Sequence, residues 1–335
     1  MPLNYTNKHN VSLALAVFLM YDKYDYDDRP NSVSATGLIR PLRQLVLSQQ
    51  NKELMKTVDI SDLVASRMGS AIHAGCEEAW TDQDNIAKAL KVLGAGDAAI
   101  DSVVVNPSDE KEGWDTYPEG MIPVYVEQRA EKKIDDMIIT GKYDLVLDGT
   151  LNDYKSTSVW TYIYDSNAWN YTVQGSIYKW LNPEKITSDY ININYIFTDW
   201  SATKARQDPK QYPQQRVLTK KYPLWGNAET ENWIQNKLAA YARLADTPQS
   251  GLPECDDDEL WASETVYKYY KNPAKTERAT KNFPTMDEAL IRKSADGDVG
   301  TIKTVPGEVK ACRYCPVIGI CTQAETMLAS GRLVL

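Results

Sequence analysis

The sequence predicts an α/β or α+β core in which a mixed central sheet is flanked by helices, followed by a cysteine-stapled C-terminal segment. Three observations lead to this prediction. Helix-like segments come first, strand-like segments follow and are interrupted by a helix, and three cysteines lie close together near the C-terminus. Elements in such an order form layers, with helices packed on the faces of a sheet.

The length and composition of the chain fit a soluble globular protein. The 335 residues suffice for one large domain or two modest ones. We expect a core with an N-terminal helical region over residues 1–250, and a segment over 251–335 that carries the clustered cysteines and packs on the core. The apolar run at 11–21 is too short to span a bilayer and has no basic leader, so a cytoplasmic location without a membrane partner is expected.

Three helices are predicted in the first 80 residues, at 10–21, around 37–50 and from about 61 to 80. In the second helix, apolar residues recur at helical spacing, and either Ser34 or Thr36 is placed to cap its N-terminus. Residues 94–120 are rich in glycine, aspartate and proline, so we expect them to be irregular.

The pattern changes to strands from Pro123 onward. Strand-like segments read "VYVEQRAEKKI", then "MIITGKYDLVLDGTLNDYKST". The remaining predicted elements are a helix at 169–181, a strand at 190–200, a polar excursion at 206–225, a helix at about 227–246 and a strand in "TVYKYYK".

The segment "GKYDLVLDGTLNDYKST" (141–157) predicts a β-hairpin with its charges on one face. Asp148-Gly149 favours a two-residue type I′ turn, which sets Asp144 directly opposite Asp153. Opposed side chains have Cβ atoms roughly 5 Å apart, where two like charges repel. Lys155 lies two residues beyond Asp153, hence on the same face. A three-residue turn would shift this register and remove the direct opposition.

A divalent cation between Asp144 and Asp153 would turn their repulsion into binding energy. Hard oxygen ligands select Mg²⁺ or Mn²⁺, and such an ion polarises a phosphate and lowers the pKa of a bound water. Lys155 is placed to orient or deprotonate that water. The grouping therefore suits phosphodiester hydrolysis, and the alternative is an exposed hairpin with ordinary charges.

The same segment resembles the core of the PD-(D/E)xK nucleases, and specifically their RecB-like, phage-type exonuclease branch, in which a G-x-x-D strand is followed by a D-Y-K strand. The resemblance implies a restriction-endonuclease-like core. It also implies that Asp144 and Asp153 are metal ligands, that Lys155 is the catalytic lysine, and that the peptide carbonyl of Tyr154 is a further ligand.

Two helical segments add to the resemblance. "GSAIHAGCEEAW" resembles the G-x-x-x-H helix of that branch, which makes His73 a candidate metal ligand. "QGSIYKWL" resembles its Q-x-x-x-Y helix, which implies that Gln174 and Tyr178 line the DNA-binding and active-site face.

Two further residues, Glu127 and Arg43, are predicted to belong to the candidate site. Glu127, in "VYVEQRAEKK", is expected on the strand before the hairpin, where related nucleases often carry a carboxylate that holds the metal or positions the catalytic lysine. "SATGLIRPLRQLVL" resembles the entry segment of the branch, and from it Arg43 is expected to contact phosphate.

Five cysteines are an odd number, which does not fit a disulfide framework. Cys312, Cys315 and Cys321 have C-x2-C-x5-C spacing, which predicts metal ligation. The spacing resembles the iron–sulfur ligands of AddB-type and CRISPR-associated adaptation nucleases and implies a 4Fe–4S cluster, with four-thiolate zinc as the alternative. For the fourth ligand we favour Cys255, in a P-x-C-x-D-x-x-x-W segment that resembles phage-type members, over Cys76.

The function that these motifs imply is a metal-dependent DNA nuclease, with exonuclease action expected in phage-type replication, recombination or repair. DNA ends or single strands would be the substrate, a recombination or single-strand-binding protein a partner, and the host cytoplasm the location of a phage-encoded chain. The net charge of −9 argues against DNA binding through global charge alone. Two basic runs, at residues 204–221 and 268–281, are either local DNA-binding surfaces or ordinary solvated faces. The alternatives are a non-catalytic DNA-binding or scaffolding subunit with this fold and a zinc-binding interaction protein.

Overall fold

The computed structural model describes residues 3–22, 27, 29–53, 56–107, 120–275 and 277–335. The chain divides into two compact units. The larger unit contains Leu3–Ile39 and Thr57–Leu238, and the smaller one contains Arg40–Lys56 and Ala239–Leu335. The domain boundary that the sequence suggests at residue 250 stays a prediction.

The described residues form helices and strands throughout both units. The α-helices are α1 Leu13–Met20, α2 Ala35–Ile39, α3 Leu42–Gln50, α4 Val64–Ala79, α5 Gln83–Val92, α6 Asp97–Asp101, α7 Val159–Ile163, α8 Ala168–Leu181, α9 Ala202–Gln207, α10 Asn227–Leu244, α11 Met286–Ala295 and α12 Thr322–Ala329. The strands are β1 Leu3–Thr6, β2 Ser32–Ser34, β3 Lys56–Asp59, β4 Val103–Val105, β5 Ile122–Val126, β6 Arg129–Ile134, β7 Met137–Lys142, β8 Leu145–Leu147, β9 Thr150–Thr157, β10 Tyr190–Phe197, β11 Val217–Pro223, β12 Val266–Tyr270, β13 Lys281–Phe283 and β14 Thr301–Val305. None of the described helices is both long and apolar enough to cross a membrane.

A six-stranded mixed sheet organises the larger unit, with strand order β11-β10-β9-β8-β5-β4. Two of its neighbouring pairs, β9 with β10 and β4 with β5, are parallel, and the other pairs are antiparallel. A three-stranded sheet, β2-β7-β6, belongs to the same unit. The predicted mixed α/β fold is therefore confirmed.

Side chains alternate along β10 between the core and the opposite face of the sheet. Ile191, Ile193 and Tyr195 are buried on one face, as expected for a strand with period-two patterning. Helix α8 covers this face closely at Gly175, where a Cβ atom would lie 3.2 Å from Ile191 Cδ1. This packing holds strands β9 and β10 in place at the centre of the sheet.

The smaller unit contains the three-stranded antiparallel sheet β13-β12-β14. Tyr269, Phe283 and Ala289 are buried together where α11 packs on this sheet. A separate apolar cluster of the unit contains four of the five cysteines.

Several predicted elements match the structure, and others differ for identifiable reasons. The helix expected at 37–50 is split into α2 and α3 because Pro41 lacks an N–H and disfavours a helical conformation at Arg40. Ser34 caps α2, since its Oγ accepts a hydrogen bond from Gly37 N at 3.0 Å. The expected polar excursion at 206–225 contains β11, which pairs with β10.

Two other predictions concern strand boundaries and loops. The single strand expected in "VYVEQRAEKKI" is interrupted at Glu127, whose φ of 52° takes the chain out of β5 before β6 begins. The irregular segment expected at 94–120 contains α6 and β4. Residues 108–119 of that segment lie outside the described residues.

Gly141 on β7 is packed too tightly to accept a side chain. A Cβ atom there would lie 2.7 Å from Leu181 Cδ1 and 2.9 Å from Tyr178 Cδ1. We expect Gly141→Ala to lower the free energy of unfolding by about 1–3 kcal/mol, the usual cost of overpacking, as measured by urea denaturation. Gly75→Ala on α4 is the control, because the added Cβ atom would meet nothing within 4 Å. This substitution should stabilise the helix by about 0.5–1 kcal/mol. Equal stability of the two variants would contradict this packing argument.

Candidate functional site

The hairpin of β8 and β9 has the predicted turn and register. Asp148 and Gly149 both have positive φ, at 46° and 74°, as a type I′ turn requires. The ladder pairs Leu147 with Thr150 and Leu145 with Asn152. Asp144 therefore lies one residue before the ladder, and its Oδ2 accepts a hydrogen bond from the Tyr154 backbone N–H at 2.9 Å.

Three potential metal ligands converge beside this hairpin. One ligand atom each from His73, Glu127 and Asp144 lies within 4.8 Å of the others. The three residues come from α4, from the bend after β5 and from the residue before β8. An imidazole and two carboxylates at this spacing suit a divalent cation.

Helix α4 passes next to β9 at Gly69. A Cβ atom there would lie 3.4 Å from Ser156 Oγ on β9, an ordinary van der Waals distance. His73 lies four residues later, on the same face of the helix. Its Nδ1 lies 3.4 Å from Asp144 Oδ2. The G-x-x-x-H spacing thus places the glycine against β9 and the histidine against the hairpin.

Asp153 and Lys155 form a pair of their own on β9, outside the group of His73, Glu127 and Asp144. Lys155 Nζ lies 2.5 Å from Asp153 Oδ2, and only 3% of the Asp153 side chain is exposed. Burial and, to a lesser extent, the charge of Asp144 raise the pKa of Asp153 to about 6 against the opposing charge of Lys155. The negative charge of Asp144 thus disfavours ionisation of Asp153, as expected from the repulsion between the two aspartates that the sequence suggested.

The carboxylates of Asp144 and Glu127 each lie close to basic side chains. Burial by itself would raise the pKa of Asp144, but its hydrogen bond with His73 and the charge of Lys155 outweigh that effect and lower the pKa. The same hydrogen bond raises the pKa of His73. Burial raises the pKa of Glu127, whose Oε2 lies 2.6 Å from Lys142 Nζ. The site is thus rich in carboxylates that a cation would stabilise in their charged form.

The two residues of the predicted Q-x-x-x-Y helix contact each other. Gln174 Nε2 donates a hydrogen bond to Tyr178 OH at 2.9 Å. Tyr178 is only 6% exposed and belongs to the main apolar core, beside Gly141. Gln174 is half-buried, and a role of these two side chains at the DNA-binding and active-site face stays a prediction.

The four cysteines predicted to be metal ligands pack in one apolar cluster of the smaller unit. They are Cys255, Cys312, Cys315 and Cys321. Gln323 fastens Cys255 in this cluster, because its side chain accepts from Cys255 N at 2.9 Å and donates to Cys255 O at 2.8 Å. Burial raises the pKa of Cys255 to about 12, and the other three cysteines contribute to the shift. Cys76 lies in the larger unit, on α4.

Arg43 does not have the exposed, phosphate-contacting position expected from the sequence. Its side chain is buried at 4% exposure, and its Nε lies 3.4 Å from Cys321 Sγ. The guanidinium also donates to Leu252 O at 3.2 Å, to Gln249 Oε1 at 3.1 Å and to Thr322 Oγ1 at 2.9 Å. The phosphate prediction is therefore wrong for this conformation, because all these contacts bury the guanidinium inside the cysteine-bearing unit.

Three polar side chains that hold these sites together were not expected from the sequence. Lys142 pairs with Glu127, and Gln249 and Gln323 fasten the segments that carry the cysteines. Lys142 could have been found from its strand position two residues before Asp144. The two glutamines gave no local signal, because each bonds to residues about 70 positions away.

The fold and the site together define a class of protein: an α/β protein in which carboxylates and a lysine at the central sheet and an imidazole from helix α4 converge where they could bind a divalent cation. Residues 47–322 match the family model described as the PD-(D/E)XK nuclease superfamily. The chain therefore belongs to the PD-(D/E)XK nuclease superfamily and is a metal-dependent nuclease by family.

Two solved structures are similar to parts of the chain. The crystal structure of SSO0001 is 16% identical with a TM-score of 0.33, over 70% of this chain and 84% of that one. The crystal structure of a phage related exonuclease from Haemophilus somnus 129PT is 19% identical with a TM-score of 0.24, over 36% of this chain and 58% of that one. No curated protein matches the sequence.

Proposed function

We propose that the chain is a DNA nuclease that uses Mg²⁺ or Mn²⁺ to hydrolyse phosphodiester bonds at DNA ends or in single strands, in recombination, repair or replication. The observation that carries the proposal is the convergence of His73, Glu127 and Asp144 beside the Asp153–Lys155 pair. An imidazole and two carboxylates with ligand atoms this close together form a donor set that suits a divalent cation.

In the proposed mechanism, Asp144, Glu127 and His73 would hold a divalent cation, and Asp153 and the peptide oxygen of Tyr154 would complete the set of ligands. The hydrogen bond from Tyr154 N to Asp144 brings that peptide beside the site. When bound, the cation supplies Lewis-acid polarisation of the phosphate and acidifies water. Lys155 Nζ would orient the attacking water and relay its proton to solvent as the water oxygen bonds to phosphorus and the bond to the leaving oxygen breaks, while the buried carboxylate of Asp153 holds Lys155 in place.

Divalent-ion dependence tests this function. We expect purified protein to degrade linear DNA in Mg²⁺ or Mn²⁺, to lose that activity in excess EDTA, and to regain it when the ion is restored, because the carboxylates need the cation to act on phosphate. Covalently closed circular DNA beside the linear substrate separates exonuclease from endonuclease action. Degradation that persists in EDTA, or no degradation with either ion, would contradict the proposal. The latter result is what a non-catalytic DNA-binding subunit predicts.

We also propose that the four clustered cysteines hold a 4Fe–4S cluster with a structural role, with Cys255 as the fourth ligand. Four thiols from segments more than 50 residues apart share one apolar cluster, and their donor chemistry fits either iron–sulfur or zinc. Tetrahedral zinc would draw the sulfurs to about 3.8 Å of one another, given Zn–S bonds of about 2.3 Å.

An iron–sulfur cluster and a zinc ion differ in composition, and this difference separates the two candidates. Iron and acid-labile sulfide in anaerobically purified protein, with broad visible absorption, would support the cluster, whereas stoichiometric zinc would overturn it in favour of a zinc site.

A further inference from the structure

Two exposed aromatic rings stand directly after the strand that carries Asp153 and Lys155. Trp160 on α7 is 43% exposed, and Tyr164 at the end of α7 is 73% exposed. Their rings stack, with centroids 5.8 Å apart and planes inclined by 22°. Burying an aromatic ring is strongly favourable, so two stacked rings left in solvent present unused binding surface.

The helix that carries these rings is firmly anchored. Asp199 accepts hydrogen bonds from Ser158 Oγ at 2.6 Å and from Val159 N at 2.7 Å, which fixes the start of α7. Tyr162, on the buried side of the same helix, packs edge-on against Tyr195 with centroids 5.5 Å apart. The two exposed rings are therefore held in place before any ligand arrives, which lowers the entropic cost of binding.

Trp160 also has a cationic neighbour and a lateral support. Lys204 Nζ lies 5.5 Å from the centre of the Trp160 ring. The ring of the buried Tyr212 meets Trp160 edge-on, with centroids 6.5 Å apart. In a chain of net charge −9, a lysine beside exposed stacked rings offers the local combination that binds an anionic polymer with aromatic bases.

The rings are near enough to the candidate active site for one strand to reach both. Trp160 follows Lys155 by five residues, so the two Cα atoms are at most about 18 Å apart even with a fully extended chain. A DNA strand that stacks on Trp160 therefore needs to extend only a few nucleotides to bring a phosphate to Lys155.

We propose that Trp160, Tyr164 and Lys204 form a stacking platform that binds unpaired bases of single-stranded DNA next to the hydrolytic site. The identity of the ligand as DNA rests on the proposed function. A single strand fits better than a duplex because base faces are free to stack on protein rings only where the bases are unpaired. The lysine favours this polyanion over an apolar peptide.

Binding of a fluorescent oligothymidylate to the full chain in EDTA, where hydrolysis is suppressed, tests the platform. Stacking contributes about 1–3 kcal/mol per base, so we expect Trp160→Ala to weaken binding by about 5- to 150-fold. Trp160→Phe should retain most of the affinity because it keeps a ring. Trp169→Ala is the matched control, since Trp169 is 53% exposed in the same unit. The Trp169→Ala variant should bind the oligothymidylate with wild-type affinity.

The outcomes separate this proposal from the proposed function. Unchanged binding by Trp160→Ala, or equal losses for Trp160→Ala and Trp169→Ala, would overturn the platform even if the protein hydrolyses DNA. An equal loss for duplex and single-stranded DNA would overturn its assignment to unpaired bases. Selective loss of single-strand binding would support the platform even in a protein without hydrolytic activity.

Discussion

Lys155→Met is expected to reduce DNA hydrolysis by about 10²–10⁴-fold, the usual contribution of a positioned proton-transfer group. Lys155 Nζ is held 2.5 Å from the carboxylate of Asp153, and its charge acts on both His73 and Asp144. Methionine keeps most of the length and apolar volume of the side chain but can neither donate nor accept a proton. The measurement is the initial rate of DNA degradation at saturating Mg²⁺ or Mn²⁺. A reduction of the rate by less than about threefold would contradict the assigned role, because so small a loss lies far below the expected range.

Loss of folding is the competing explanation, and the structure suggests how to separate it. Removing Lys155 leaves Asp153 buried without its counter-charge, and breaking a buried pair costs on the order of 3 kcal/mol. The double variant Asp153→Asn/Lys155→Met removes both charges and should recover most of that stability while remaining inactive. Recovery of activity together with stability in the double variant would show that Lys155 has a structural role only.

A second lysine–aspartate pair provides the matched control. Lys179 Nζ lies 2.7 Å from Asp189 Oδ1, and Asp189 is exposed. Lys179→Met should leave the rate unchanged, since Lys179 belongs to none of the groups that contact the candidate metal ligands.

The hairpin could be predicted because its geometry is determined locally. Asp148 and Gly149 adopt the left-handed conformation that their residue types favour, and that turn alone sets the register that aligns β8 with β9. The G-x-x-x-H spacing is equally local, since four residues on one helix place Gly69 and His73 on the same face.

The remaining contacts depend on side chains that are distant in sequence. Nothing local in "RPLRQLVL" indicates that Arg43 donates to the carbonyl of Leu252, 209 residues away. The left-handed φ of Glu127 was also missed, since a non-glycine residue adopts it only where the surrounding structure requires it. The alternation in "RVLTKKYP" was available but was obscured by the polar residues around it, so the prediction failed to include β11.

From the metal site that we propose at the four cysteines, Cys255→Ser is expected to remove most of the metal and to destabilise the smaller unit by at least about 4 kcal/mol, because loss of a structural metal ranks among the largest single-residue effects. Serine is nearly isosteric, so the comparison isolates the thiolate. The measurements are metal content by elemental analysis and the midpoint of chemical denaturation. Cys76→Ser is the matched control and should retain wild-type metal content. The reverse pattern would make Cys76 the fourth ligand.

Arg43 provides an independent reason to expect an anionic group at the four cysteines. Its buried guanidinium contacts carbonyl, amide and hydroxyl oxygens and the sulfur of Cys321. A buried cation is costly unless an anion compensates it, and neutral thiols at Cys255 and Cys312, whose pKa values are raised by burial, cannot do so. Thiolates bound to a metal carry negative charge and can compensate the charge of Arg43. The charge of Arg43 and the metal should therefore stabilise each other, and metal removal should destabilise the wild-type protein more than an Arg43→Gln variant. Equal losses in the two proteins would show that the arginine is held by its oxygen contacts alone.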